Sequence, residues 1–250
     1  IENDDKVKAF LVTQDLKDED YVNSNYVIMV TKKGQTKKTS LEQYSRPRTN
    51  GINAITIKDG DELLEAKLTN GESQIMIAAK SGKSIRFEEG KTRPMGRNAS
   101  GVRGIRLKDD KDEVIGMVSI SDDKSDILVV SEKGYGKRSS LEDYRITNRG
   151  GKGVKTINIT DKTGELVAIK NVTDNDDLMI INKSGITIRM AVSDLRVMGR
   201  ATQGVKLINI KDNDSIAAVA KVMHDDEEID ESVQNDEKND ENHENDSQNL

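Results

Sequence analysis

Cysteine is absent from the 250 residues, which excludes a disulfide framework, thiolate metal ligation and thiol catalysis together. The only two histidines, His224 and His243, lie in the acidic end of the chain, so the rest holds no material for a histidine zinc site or an imidazole relay. Tryptophan is missing, and Phe and Tyr together number seven. That is too few for an aromatic platform of the kind that stacks single-stranded bases. No run of about 18 apolar residues occurs and Ile1 opens no signal-peptide pattern, so the chain is expected to be soluble and intracellular. Ile1 in place of an initiator Met is read as the start of a fragment.

What is present is charge, unevenly distributed. The formal net charge is -6, from 39 basic and 45 acidic residues, but the last 27 residues hold 12 of the acids and one base, Lys238. The body therefore carries 38 basic and 33 acidic residues, a net +5, and the tail -11. A pI near 5.2 hides a basic body. Residues 224–250, rich in Asp, Glu, Asn, Gln and Ser, are expected to be disordered.

The body repeats itself. Gly34, Gly82, Gly134 and Gly185 are 48, 52 and 51 residues apart, and Gly51, Gly101, Gly153 and Gly204 are 50, 52 and 51 apart. Each unit resolves into four short segments: a first rich in Ile, Val, Leu and Ala, as in 63–68, 114–120 and 166–172; a nearly continuous apolar second, as in 26–30, 75–78, 127–130 and 178–181; a third after a glycine turn; and an alternating fourth, as in 154–159 and 205–210. A polar connection with at most one helical turn, such as 40–44, 140–144 or 191–195, joins third to fourth. These are strands bounded by turn residues. The fold class expected is all-β, with one four-stranded sheet per unit in a propeller-like array. A solenoid is the alternative. The repeats run about 5–57, 61–107, 112–159 and 164–210 within a domain spanning 1–223. A left-over segment, 215–222, matches the first strand of a unit. It is expected to complete a sheet with the chain's beginning or with a unit outside the sequence, closing a circle by exchanged strands.

The cations recur at fixed repeat positions. Lys38, Arg86, Arg138 and Arg189 each stand four residues after a turn glycine, two of them accompanied by Lys37 and Lys137. Around the second glycine series stand Arg48, Arg97, Arg149 and Arg200, with Arg46, Arg93, Arg145, Lys152, Arg103 and Lys206. Equivalent positions in a radial array fall on one belt, and a cationic belt fits a polyanion. The bland alternative is a solvated polar face, for which Glu would serve as well as Lys or Arg. Arg149-Gly150-Gly151-Lys152 is the most concentrated local signal. Its glycines permit close backbone approach to phosphates, but no G-K-[ST] ending or following helix makes it a Walker loop. The acids at Asp61-Glu62, Asp112-Glu113 and Glu165 recur from unit to unit, which points to a turn role and away from a differentiated catalytic pair. Tyr44 and Tyr144 share one repeat position and are read as packing anchors. Neither a catalytic set nor a metal site is expected.

MGRNASGVRGIRL (Met95–Leu107), EKGYGKRSSLEDY (Glu132–Tyr144) and MGRATQGVKLI (Met198–Ile208) resemble the C-terminal domain family of the bacterial DNA gyrase A protein. The resemblance implies a β-pinwheel, six-bladed in the family, whose blades exchange strands and wrap duplex DNA around a basic perimeter, contacting it through the belt residues above. It further implies a non-catalytic part of an A2B2 holoenzyme, formed with the remainder of the gyrase A protein and with gyrase B, which supercoils DNA negatively. ATP and magnesium belong to that holoenzyme and no cofactor to this domain. The location implied is the cytoplasm, on the bacterial chromosome and away from membranes. The family's box, Q-[RK]-R-G-G-[RK]-G, has its nearest likeness in Thr147–Gly153, which lacks the leading Gln and one cation and falls in a later unit. The related domain of the topoisomerase IV A protein and a protein-binding propeller scaffold are the competing readings.

A tail of charge -11 tethered to a +5 body should compete for the belt. A chain ending at residue 223 should bind duplex DNA more tightly than the intact one, most clearly at low salt, where the Debye length exceeds about 10 Å. Equal affinities at low ionic strength would mark the tail as an inert extension.

Overall fold

The computed structural model describes residues 6–122, 124–211 and 214–223; the tail expected at 224–250 lies outside them. Four hairpins form its frame: β1 (Tyr26–Thr31) with β2 (Gln35–Ser40), β4 (Gln74–Ala79) with β5 (Lys83–Glu88), β8 (Asp126–Ser131) with β9 (Tyr135–Ser140), and β12 (Asp176–Asn182) with β13 (Thr187–Ala191). Four longer strands, β3 (Leu63–Thr69), β7 (Val114–Ile120), β11 (Leu166–Val172) and β15 (Ile216–Met223), and three two-residue strands, β6 (Val102–Arg103), β10 (Val154–Lys155) and β14 (Val205–Lys206), complete the all-β fold.

Each sheet draws on two successive units. The strand orders are β3-β1-β2-β6, β7-β4-β5-β10, β11-β8-β9-β14 and β15-β12-β13. A hairpin of one unit is flanked by the first and fourth strands of the next. There is one sheet per period, but its strands come from two units, the strand exchange that the family resemblance implies, which the 50-residue period alone does not specify. The exchange also places the left-over strand: β15 pairs with β12, from Asp176↔Met223 to Asn182↔Ile216, and not with the chain's beginning. Segments 6–14 and 51–57, which carry the first- and fourth-strand patterns of the opening unit, form no strand, since no earlier hairpin among the described residues offers them an edge. The fourth strands shrink to two residues because the hairpin edge is finished partly by other backbone, described below. A short helix, Glu19–Ser24, capped by the Asp18 carboxylate at the Tyr21 amide (3.1 Å), was not foreseen.

The second strands are apolar throughout because they are buried on both faces. Ile75 and Ile77 of β4 pack with Ile28 and Val30 of β1, while the alternate residues Met76 and Ala78 pack with Ile127 and Val129 of β8. Leu128 and Val130 of β8 then meet Leu178 and Ile180 of β12. Hydrophobic cores therefore lie between consecutive sheets. The long strands contact one another in succession, β3 with β7, β7 with β11 and β11 with β15. They form the inner side of the array, leaving β6, β10 and β14 on the outer edges.

The glycine periods follow from this exchange. The Gly82 carbonyl in the β4–β5 turn accepts the amides of Thr156 (2.8 Å) and Ile157 (3.3 Å) from the next unit. Gly153, at φ +69°, crosses so close to β5 that a Cβ would collide with the Ser84 carbonyl oxygen. Its repeat equivalent Gly51 has φ +79° and open space around the same position, since no earlier hairpin among the described residues lies against it. Both positions carry the left-handed backbone cost of about 1–2 kcal/mol for a non-glycine residue. Gly51→Ala should lose about that much in a urea melt. Gly153→Ala should lose at least about 2 kcal/mol more through the backbone clash, and equal losses would refute the crossing.

Candidate nucleic-acid interface

The belt expected from the sequence separates into two sets. Lys37, Lys38, Arg86, Lys137 and Arg138 are buried, which corrects their assignment to a solvent-facing belt. They lie on the third strands, and the following unit covers them. Arg86 gives Nε to Gln74 (2.7 Å) and Nη1 to the carbonyls of Leu141 (2.7 Å) and Tyr144 (3.0 Å) in the next unit. Arg138 repeats the arrangement, with Asp126 (2.6 Å), Asp174 (2.6 Å) and the Val192 carbonyl (3.2 Å). These guanidiniums clasp sheet to sheet by donating to carbonyls of the polar connection in the following unit. Lys38 is too short for that reach. Its partner is Glu89 at 3.5 Å, a buried carboxylate standing where the other units place Leu41, Leu141 and Val192.

Lys37 donates to the carbonyls of Ala54 (2.6 Å) and Arg97; Lys137 donates to the Gly199 carbonyl (2.6 Å) and the Ser139 hydroxyl (3.2 Å). Burial, with Arg97 nearby, lowers the Lys37 ammonium to about 8. Lys137 also falls to about 8 through burial, with Asp143 opposing and Arg200 reinforcing the shift. Arg189, in the sheet whose outer edge lacks a fourth strand, is exposed and bonded to Asp177 at 2.6 Å.

The second set lies on the outer edges. Arg103, Lys155 and Lys206 occupy equivalent places on β6, β10 and β14, all exposed. Beside them run the loops carrying Arg93 and Arg97, Arg145 and Arg149, Arg196 and Arg200. Arg149 reaches back to the Lys91 carbonyl (3.0 Å) and the Arg103 carbonyl (3.2 Å); Arg200 does the same to the Lys155 carbonyl (2.8 Å), and Arg97 to that of Asn53 (3.4 Å). Each arginine thereby ties its loop to the outer strand or segment of the preceding unit and holds two cations side by side. Arg46, Arg48 and Lys152 are exposed in the same type of loop. The glycine-rich corner is more closed than its sequence implies. Gly150, at φ +82°, donates its amide to the Gly104 carbonyl (2.6 Å), and the Gly151 carbonyl accepts from Arg106 (2.8 Å). Lys152 is its exposed charge.

Arg106, Lys155 and Arg196 are not among the belt residues expected from the sequence. For two of them the signal was present in the repeat offsets: Arg196 continues the series Arg93, Arg145 at intervals of 52 and 51, and Lys155 lies between Arg103 and Lys206 in another. On the hairpin-turn side, Lys133, Lys162, Lys183, Lys206 and Lys211 line a further crevice with Glu132 and Asp214.

The remaining candidates have structural partners. Tyr144 is buried, its hydroxyl 2.7 Å from that of Thr156, and the Tyr44 hydroxyl donates to the Ala54 carbonyl (3.1 Å). The Asp112 carboxylate accepts from the Ser81 hydroxyl (2.8 Å) and the Lys108 amide (2.9 Å), and Asp61 accepts from the Lys33 amide (2.9 Å). These acids staple the hairpin turns. Among the described residues no cluster of three or more acids and histidines could hold a metal ion, and no helix is long and apolar enough to cross a membrane. The outer edges offer permanent positive charge on a fixed backbone, which suits ionic contact with a polyanion.

Comparison with known proteins agrees with this architecture. Residues 25–70, 73–121, 125–173 and 176–223 match the family described as DNA gyrase C-terminal domain, beta-propeller. The DNA gyrase A protein of Staphylococcus aureus strain MRSA252 is 42% identical over 236 residues, covering 94% of this chain and 26% of that protein. Its counterpart from strain NCTC 8325 is 42% identical over 229 residues, 91% of this chain and 25% of that protein. The chain thus spans about a quarter of the length of these relatives. A solved DNA gyrase A C-terminal domain superimposes with a TM-score of 0.72 at 23% identity, covering 80% of this chain and 67% of the other. The C-terminal domain of a DNA topoisomerase IV gives 0.76 at 23% identity, covering 80% and 62%. With four family matches in register with its four hairpins, the chain belongs to the DNA gyrase C-terminal domain family of β-propellers.

Proposed function

We propose that this chain binds duplex DNA along its outer edges and bends it, as the DNA-wrapping part of a gyrase. The observation that carries the reading is the recurrence of exposed Arg and Lys, from successive units, on the outer strands and their adjoining loops. Phosphate contact needs charge and reach without base-edge complementarity, and these residues supply both. Distribution matters as much as charge. Bending a duplex by roughly 240° over about 43 base pairs costs on the order of 18 kcal/mol by smooth elastic theory, so the holding contacts have to be spread along the path. An array that presents one cationic edge per sheet supports such a path.

In this reading the domain contributes no chemistry. Strand passage, negative supercoiling and the use of ATP and magnesium fall to an A2B2 assembly of the gyrase A and gyrase B proteins, working on the chromosome in the cytoplasm. The 42% identity to gyrase A proteins favours gyrase over topoisomerase IV, from which the fold alone does not separate it. Arg46, Arg48, Arg93, Arg97, Arg103, Arg145, Arg149, Lys152, Arg200 and Lys206 remain the proposed contacts, joined by Lys155 and Arg196. Lys37, Lys38, Arg86, Lys137 and Arg138 become the framework that holds them.

If roughly eight phosphates are neutralised, log K should fall against log salt with a slope near about -7. Replacing Arg103, Lys155 and Lys206 together by Ala should make that slope shallower by about 2 to 3 while leaving the melting temperature unchanged. Replacing Arg86 and Arg138 by Ala should instead lower the melting temperature. A parent slope shallower than about -2 would defeat the DNA reading. An unchanged slope in the triple variant would remove the outer strands from it.

A further inference from the structure

Beside each exposed edge cation stands an apolar residue that the phosphate reading does not use. The loops contain Arg46-Pro47, Arg93-Pro94, Arg145-Ile146 and Arg196-Val197, an arginine followed by an apolar side chain in every unit. The chain has only two prolines, and both fall here. All eight residues are exposed; Ile146 is 46% and Val197 51% accessible, among the few large hydrophobic residues left in solvent. Single exposed apolar residues are ordinary. Recurrence at one repeat position, always after arginine, is not what a solvated face requires.

The mount is rigid. Pro94, Ile146 and Val197 form parallel bridges with Lys38, Arg86 and Arg138. The next amide in each loop closes the contact: Met95 donates to the Lys38 carbonyl (2.8 Å), Met198 to that of Arg138 (2.8 Å), and Thr147 to that of Arg86 (2.9 Å). The outer edges of β2, β5 and β9 are thus each finished by two pieces, the two-residue strand and this dipeptide. The buried cation at the bridge is clasped to the same incoming unit, so the dipeptide projects from a fixed backbone and not from a mobile loop tip. Arg93, Arg145 and Arg196 make no hydrogen bond or ion pair among the described residues.

An apolar group gains nothing from a phosphate. It gains from the deoxyribose walls and base steps of the minor groove, which narrows where a bent duplex turns it inward and then attracts arginine through its concentrated negative potential. Resting on the DNA-binding reading above, we propose that these dipeptides enter the minor groove of the bent duplex, arginine along the floor and Pro, Ile or Val against a wall or step. The consequence is a preference for sites whose inward-facing minor grooves lack the guanine amino group, in a domain otherwise indifferent to sequence.

The test uses the full chain and two duplexes of one sequence, one with guanine replaced by inosine, which deletes only that minor-groove amino group. The parent should bind the inosine duplex about fivefold more tightly and should be displaced by netropsin, a minor-groove ligand, at concentrations where a major-groove ligand has no effect. Ile146→Asn with Val197→Asn, both solvent-facing changes that should leave the melting temperature intact, should keep the salt slope, lose the inosine preference and reduce the bend measured by end-to-end energy transfer. A parent that binds with a steep salt slope but shows neither the preference nor netropsin displacement would overturn the minor-groove proposal and leave the DNA reading standing. A double variant indistinguishable from the parent on both duplexes would also overturn it and return the apolar positions to a protein contact. A parent with no salt-dependent duplex binding would sink the DNA reading itself.

Discussion

Every hairpin in this fold has two edges that it cannot finish by itself. A strand edge presents backbone amides and carbonyls in need of partners, and here the next unit of the chain provides them on both sides. β3 and β6 close the first hairpin, β7 and β10 the second, β11 and β14 the third. From that arrangement follow the two glycine series, which mark where an incoming segment crosses a turn or a strand too closely for a side chain. The placement of the hydrophobic cores follows as well, since consecutive sheets are tied before they are packed. The fourth sheet shows the constraint from the other side: with no fourth strand joining it among the described residues, Gly185 has open space at its Cβ position and Arg189 stays in solvent.

The same exchange sorts the cations. Lys37, Arg86, Lys137 and Arg138 on the third strands lie under the following unit, whose backbone carbonyls accept from them. Burying a charge is costly unless it is fully hydrogen-bonded, and Arg86 and Arg138 meet that condition through two or more acceptors each. Lys38 and Glu89 show a different solution at one junction, a shorter cation answered by a carboxylate in the place of an apolar residue. Cations on the outer strands and in the loops have no covering unit and keep their charge exposed. Framework and surface are therefore built from the same residue types, repeated at the same period, a few positions apart.

This division has a mechanical sense. A surface that bends a stiff polymer must itself resist bending, and the loops carrying Arg93, Arg145 and Arg196 are anchored at both ends. Parallel bridges hold them to the third strands, and Arg97, Arg149 and Arg200 hold them to the preceding outer segment. Each anchor crosses from one unit to the next, so the exposed charge and the cohesion of the array depend on the same junctions.

The all-β class, the period, the first and second strands of the units to within a residue or two of their ends, the turn role of the repeated acids and the packing role of Tyr44 and Tyr144 are all legible in the residues alone. These are local properties: β-branched runs, glycine turns and the spacing between them set backbone conformation over a few residues. Other features emerge with the assembled fold: which unit each strand joins, that β15 belongs with β12, that segments 6–14 and 51–57 form no strand, and that Lys37, Arg86 and Arg138 lie inside while Arg93, Arg145 and Arg196 lie outside. A repeat looks the same whichever neighbour a strand pairs with, and an arginine's letter is the same in solvent or under a carbonyl. Burial is a property of what lies across the junction, and that is known only once the units are assembled.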